Sequence, residues 1–115
     1  MAVDKNKLKQ LAELKKIAAI KVDREKHALS SIKDELSQLA EERKALQNRM
    51  GTVAEAKESE PAAFINAQYY LDSLSSRARH IEDAQRDAHN RTQAQREKIK
   101  QALATKVRID GLKAP

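Results

Sequence analysis

The stretch "LQNRMGTVAEAKESEPAAFINAQYYLDSL", residues 46–74, decides the fold of this chain. It contains one of the two glycines, one of the two prolines and all three aromatic residues. Gly51 weakens the end of the first predicted helix. A second helix is predicted to start within "KESEPAAF", with Ser59 or Glu60 as its N-cap and Pro61 in its first turn, where the missing N–H costs nothing. This stretch therefore predicts a short tip that joins two helices.

The sequence on either side of this tip is rich in helix-forming residues. The 115 residues are 35% charged and 3% aromatic, and Ala, Leu, Lys, Glu, Gln and Arg dominate. Such a composition is typical of long helices and coiled coils. There is no cysteine, no apolar run long enough to span a membrane and no signal-peptide pattern. We expect a soluble, cytoplasmic protein.

Apolar residues recur at alternating steps of three and four along both halves of the chain, which defines one buried stripe, or seam, on each helix. In the first half, eleven of fourteen seam positions are apolar; they are Leu8, Leu11, Lys15, Ala18, Val22, Glu25, Leu29, Ile32, Leu36, Leu39, Arg43, Leu46, Met50 and Val53. In the second half, ten of fourteen are apolar; they are Phe64, Ala67, Leu71, Leu74, Ala78, Ile81, Gln85, Ala88, Thr92, Gln95, Ile99, Ala102, Lys106 and Ile109. Leu103 and Val107 offer a competing seam near the end.

These patterns predict an all-α fold, a long antiparallel two-helix coiled-coil hairpin. The single domain spans 1–115, with helix 1 over about 4–56, a tip at about 57–60 and helix 2 over about 61–110. Folding the chain at the tip pairs positions whose numbers sum to about 117. The alternative is an intermolecular coiled coil without a hairpin.

A two-helix rod has no water-excluding cleft, so the sequence argues against an enzyme and implies no cofactor. The three histidines are not spaced as metal ligands. His80 and His89 lie on opposite faces of one helix, and His27 is at an outward position, so we expect solvated histidines and no metal site.

Charge is concentrated at the two ends of the chain. Residues 1–22 and 96–115 each have a net charge of +4, whereas residues 23–95 have a net charge of −2. The hairpin brings the two basic ends together, which favours an acidic partner there. Nucleic acid is a weaker candidate, because the basic end has no aromatic residue for base stacking and no known reading motif.

Two groups of apolar residues exceed what a simple rod needs. Leu14, Ile17 and Ile20 lie off the seam of helix 1. They are either covered internally by Leu103 and Val107 or form a docking face at the basic end. In a separate group near the tip, the adjacent tyrosines at positions 69 and 70 are either interface anchors or covers for the flank of the seam.

The residues around the tip resemble the FliJ family of flagellar export proteins and its YscO-type relatives in type III secretion. Leu46-Gln47-Asn48-Arg49-Met50 resembles the end of that family's first helix. Asn66-x-Gln68-x-Tyr70-x-x-x-Leu74 resembles the start of its second helix. The chain departs from the family in lacking the usual tyrosines on helix 1 and a longer C-terminal segment.

The resemblance implies a non-enzymatic rod of a bacterial export apparatus that binds the export ATPase ring and the export gate protein. It places the gate-binding face at Leu46, Met50, Tyr70 and Leu74. The basic open end, the candidate ATPase-facing surface, comprises Lys5, Lys7, Lys9, Lys16, Leu14, Ile17, Ile20, Lys106 and Arg108. A monomer or weak homodimer is expected, either free in the cytoplasm or peripheral at the inner face of the membrane. The alternatives are a self-associating scaffold and a basic helical nucleic-acid binder.

Overall fold

The computed structural model of the protein describes residues 5–57 and 61–112, and it consists of two long helices that pack against each other. Helix α1 spans Lys5–Lys57 and helix α2 spans Pro61–Asp110. The all-α antiparallel hairpin is therefore confirmed. The predicted N-caps, Ser59 and Glu60, and most of the predicted tip lie outside the described residues.

The glycine near the tip does not interrupt α1, which runs through Gly51 to Lys57. The backbone of Gly51 has no positive φ, and a Cβ built there would meet nothing within 4 Å. The Thr52 hydroxyl donates a hydrogen bond to the Asn48 carbonyl, 3.0 Å away, as happens inside helices. Helix propensity and packing on both sides thus outweigh the cost of one glycine, about 1 kcal/mol.

The C-terminal end of α2 closes with two backbone hydrogen bonds. The N–H of Gly111 donates to the Val107 carbonyl and the N–H of Leu112 donates to the Ile109 carbonyl, each at 3.0 Å. These bonds satisfy carbonyls that have no partner within the helix.

Contacts divide the hairpin into two units. Unit 1 combines residues 1–32 with 91–115, and unit 2 comprises residues 33–90. In each unit a segment of α1 packs against a segment of α2. The division arises because a residue in a pair of helices contacts only residues at the same position along the helix axis. A long two-helix hairpin therefore has no single hydrophobic core.

In unit 1 the most buried side chains are small or polar. They are Ala18, Val22, Thr92, Gln95 and Ala102. The Gln95 amide donates to the backbone carbonyl of Glu25, 2.9 Å away, and also to the Glu25 carboxylate. A buried amide is thereby satisfied across the two helices.

In unit 2 the most buried side chains include two leucines. Leu74 is 1% exposed, Leu46 is 6% exposed, and Ala88 is also buried. Arg43, which lies on the seam of α1, donates hydrogen bonds to Gln85 at 3.1 Å and to Glu82 at 3.3 Å. The long arginine stem packs in the seam while its guanidinium reaches the flank.

The predicted seams coincide with the buried stripes of both helices. Every seam position whose side chain the structure describes is buried or half-buried, except Leu8, which is exposed at the start of α1. The polar stretch from Gln85 to Gln95 keeps the same register. Leu103 and Val107 are exposed, so the competing seam is not used. Phe64 is a seam position whose side chain lies outside the described part.

The predicted axial pairing of the helices is nearly correct in unit 1 and wrong in unit 2. Glu25 pairs with Gln95, and Arg43 pairs with Glu82 and Gln85, so the numbers sum to 120, 125 and 128 instead of about 117. A repeat of three and four specifies which face of each helix is buried. The repeat does not specify the axial position of one helix relative to the other, because a shift along the axis keeps the same stripe buried.

Candidate partner-binding surfaces

Basic residues are concentrated in unit 1. Its sequence segments, 1–32 and 91–115, contain fifteen Lys and Arg against six Asp and Glu, a net charge of +9. Residues 33–90 contain eight basic and eleven acidic residues, a net charge of −3. The contrast between the two units is therefore larger than the net charge of +6 suggests.

The predicted basic residues of unit 1 are mostly solvent-accessible. Lys5, Lys7, Lys9, Lys16 and Arg108 have exposed side chains. Lys106 differs, because it is half-buried and its Nζ lies 2.7 Å from Oδ2 of Asp110 in an ion pair along α2. Five of these six cations are thus available to a partner, and the sixth is held by its neighbour.

The off-seam aliphatic residues of unit 1 are also exposed. Ile17 is 62% exposed, and Leu14 and Ile20 are 47% and 43% exposed. The expected internal cover is wrong, because Val107 is itself 70% exposed and Leu103 is 39% exposed. The three residues therefore form an uncovered aliphatic face on α1.

The geometry of α2 explains why this face has no internal cover. On the Lys21 side of unit 1, the groove between the helices is lined by Lys98, Gln101 and Thr105 from α2. At 100° per residue, Val107 lies on the other side of the buried stripe of α2. Because Ile17 and Ile20 line a groove together with Lys21, the aliphatic residues of the two helices face different sides of unit 1.

The predicted gate-binding face of unit 2 is only partly accessible. Leu46 and Leu74 are core residues, so their side chains support the helix packing and offer almost no surface. Met50 is half-buried and Tyr70 is 46% exposed. A shallow groove beside Tyr70 is lined by Asn48, Arg49, Thr52 and Val53. The accessible part of the predicted gate-binding face therefore consists of Tyr70 and one edge of the Met50 side chain.

The neighbouring exposed residues extend this face on α2. Tyr69 is 74% exposed and Ile65 is 61% exposed. Further along α2, the Gln68 amide donates to Asp72 at 3.1 Å. Tyr69 therefore projects into solvent, whereas Tyr70 is about half covered and shares a groove with Val53 of the seam; both present surface to a partner.

A second groove in unit 2 joins residues that the sequence did not single out together. It is lined by Glu42, Ala45, Leu46 and Arg49 from α1 and by Arg77, His80 and Ile81 from α2. Sequence periodicity indicates that the α1 residues share one flank of their seam. It could not place Arg77 and His80 opposite them, because that depends on the axial offset of the helices.

Metal-binding geometry is not found among residues 5–57 and 61–112, where no three His, Cys, Asp or Glu side chains cluster. His27, His80 and His89 are all exposed. Within the same ranges, neither helix has a segment apolar enough to cross a membrane.

No family model matches the chain, and no curated protein or solved structure shows significant similarity to it.

Proposed function

We propose that the protein is a non-enzymatic component of a bacterial flagellar or related type III export apparatus. In this role unit 1 binds the export ATPase ring and unit 2 binds the export gate protein. The FliJ-like residues around the tip suggest the apparatus. The surface of unit 1 supplies the physical argument for docking.

The observation that carries the proposal is the combination of charge and exposed aliphatic surface in unit 1. A net charge of +9 attracts an acidic partner and accelerates its encounter. Charge alone gives little affinity once a surface is hydrated. Leu14, Ile17 and Ile20 add apolar area that contact with the partner would remove from water, at about 25 cal/mol per Å². The two features together favour an acidic protein surface with apolar patches.

The proposed gate contact uses the accessible residues of unit 2. Tyr70 and Tyr69 supply large, rigid side chains, and Met50 supplies an adaptable edge. Leu46 and Leu74 take part indirectly, because they hold α1 and α2 in the arrangement that displays the tyrosines. We place the protein in the cytoplasm, with attachment to the inner face of the membrane arising only through the gate protein.

The test uses the purified chain with the purified export ATPase and the cytoplasmic domain of the export gate from the same organism. One variant reverses Lys5, Lys7, Lys9 and Lys16 to Glu. The matched control reverses the same number of exposed basic residues in unit 2, namely Lys33, Lys44, Arg79 and Arg86. Binding is measured by calorimetry, and folding by circular dichroism.

We expect the unit 1 reversal to weaken ATPase binding at least about tenfold, because it replaces attraction with repulsion. It should leave gate binding unchanged, and the control should retain ATPase binding. Failure of the unaltered chain to bind either protein would overturn the export function. Equal losses in the two variants would show that unit 1 is not the docking end.

A self-associating scaffold is the second candidate, because the exposed Leu14, Ile17 and Ile20 could pack against a second copy. The net charge of +9 opposes such a contact between two copies of unit 1. Sedimentation velocity over a range of concentrations and salt distinguishes the cases. A dimer that strengthens with salt and is lost in Ile17→Ser would favour the scaffold.

A further inference from the structure

The groove between Arg49 and Arg77 in unit 2 is independent of the basic surface of unit 1. Its volume is about 460 Å³, within the range of about 300–1,000 Å³ that ligand pockets have. It is open along its length, so it fits part of a chain better than an enclosed small molecule. The groove is formed by both helices, and therefore exists only in the folded hairpin.

The cations of this groove are not used by the hairpin itself. Within the described part of the chain, Arg49 and Arg77 have no ion pair and no side-chain hydrogen bond. Both side chains are exposed, and His80 adds a further hydrogen-bond donor beside them. Arg43, by contrast, is committed to Glu82 and Gln85. Glu42 is the one carboxylate that lines the groove.

The floor of the groove is apolar. Leu46 is buried, Ile81 is half-buried and Ala45 lies at the edge. An aliphatic side chain of a ligand would lose water against this floor, and its flanking carboxylates would reach the guanidinium groups. Arginine suits this purpose, because its planar fork can bind a carboxylate through two parallel hydrogen bonds.

We propose that this groove binds a peptide segment of a partner protein in which aliphatic residues are flanked by Asp or Glu. The net charge of −3 of unit 2 does not prevent this binding. This charge is spread over residues 33–90, whereas within the groove itself two arginines outnumber one carboxylate, Glu42. The peptide binding can be tested without the export proteins, although Arg49 also lines the groove beside Tyr70 that the proposed gate contact uses.

The experiment is a fluorescence anisotropy titration of the full chain with short labelled peptides. The first peptide has an Ile-Leu pair flanked on both sides by Glu. The second replaces the pair with Ser-Ser, and the third replaces every Glu with Gln. The test variant is Arg49→Gln with Arg77→Gln. Its matched control is Lys44→Gln with Arg79→Gln, which removes the same charge from exposed positions of the same two helices.

We expect the first peptide to bind best, and the test variant to weaken it about tenfold or more. The control variant should bind like the unaltered chain, and circular dichroism should show the same melting temperature for both variants. The proposal is overturned by equal affinity for all three peptides. It is also overturned if both variants lose the same affinity, or if a labelled single-stranded oligonucleotide binds more tightly than the first peptide.

Discussion

The two units of this hairpin differ in the side chains that are most deeply buried between their helices. In unit 2, Leu74 is fully buried and Leu46 is 6% exposed. In unit 1 the most buried positions hold smaller or polar residues such as Ala102 and Gln95, while Ile17 is 62% exposed. Exposed single apolar residues are common, but an exposed group next to an interior of small and polar side chains is informative. The same repeat of apolar residues can therefore form two kinds of unit. In the packing unit, unit 2, large aliphatic side chains stabilise the contact between the helices. In the contact unit, unit 1, such side chains are exposed to a partner.

The charges follow the same division. Unit 1 has the net charge of +9 and its uncovered aliphatic face, whereas unit 2 has a nearly balanced charge and a tyrosine-bearing surface. If the comparison is correct, substitutions of the buried Leu46 and Leu74 in unit 2 should affect stability, whereas substitutions of the exposed Leu14, Ile17 and Ile20 in unit 1 should affect binding. Three predictions follow this division, from the largest expected effect to the smallest.

Truncation of Leu74 should have the largest effect. Leu74→Ala removes a fully buried side chain and leaves a cavity, so we expect a loss of about 2–5 kcal/mol in the free energy of unfolding. Ile17→Ala in unit 1 should change it by less than about 0.5 kcal/mol, since Ile17 is mostly exposed. Urea denaturation followed by circular dichroism measures both. Ile65→Ala, at an exposed position of unit 2, is the matched control.

The comparison would be broken if Ile17→Ala cost as much as Leu74→Ala. That result would mean that the aliphatic face of unit 1 is covered in solution, by a second copy of the chain. Repeating the denaturation at several protein concentrations would distinguish this case, because a dimer makes the apparent stability depend on concentration.

Loss of the amide of Gln95 should have an intermediate effect. Gln95→Ala removes two hydrogen bonds to Glu25, and we expect a loss of about 1 kcal/mol in the free energy of unfolding. Hydrogen exchange should show the loss in unit 1 before unit 2. Gln101→Ala, an exposed position on the same helix, serves as the control. A Gln95→Ala chain as stable as the unaltered one would mean that the buried amide contributes no net stability.

The buried stripes could be predicted from the sequence because burial follows the helical repeat. Even Thr92 and Gln95, which are polar, occupy the positions that the repeat assigns to the interior. The exposure of Val107 follows from the same rule, since it lies outside the main seam. The hairpin itself was predictable from Pro61 and from the two seams of matching length.

The contacts across the helices could not be predicted in the same way. The pairing of Glu25 with Gln95 and the groove between Arg49 and Arg77 depend on how far one helix slides along the other. Side-chain length matters as well, because Arg43 reaches both Gln85 and Glu82 from one seam position. The groove between Arg49 and Arg77 therefore required the structure, whereas the fold and the basic surface of unit 1 did not.

The smallest predicted effects concern two ion pairs, one in each unit. Arg43 and Glu82 join the two helices of unit 2 at 3.3 Å, but both side chains are more than 40% exposed, so the pair is strongly screened by water. Glu82→Gln should therefore cost no more than about 1 kcal/mol, and less at high salt. In unit 1, Lys106 pairs with Asp110 within α2 at 2.7 Å. Asp110 is the last residue of that helix, where a negative charge opposes the helix dipole.

Asp110→Asn should change stability by close to zero, because removal of the ion pair and relief of the dipole have opposite signs and similar size. Parallel urea denaturation of both variants at low and high salt measures the difference. A larger loss for Asp110→Asn than for Glu82→Gln would mean that the end of unit 1 is held by its charges. In that case the basic surface would have a structural role of its own, and the division of the hairpin into a packing unit and a contact unit would fail.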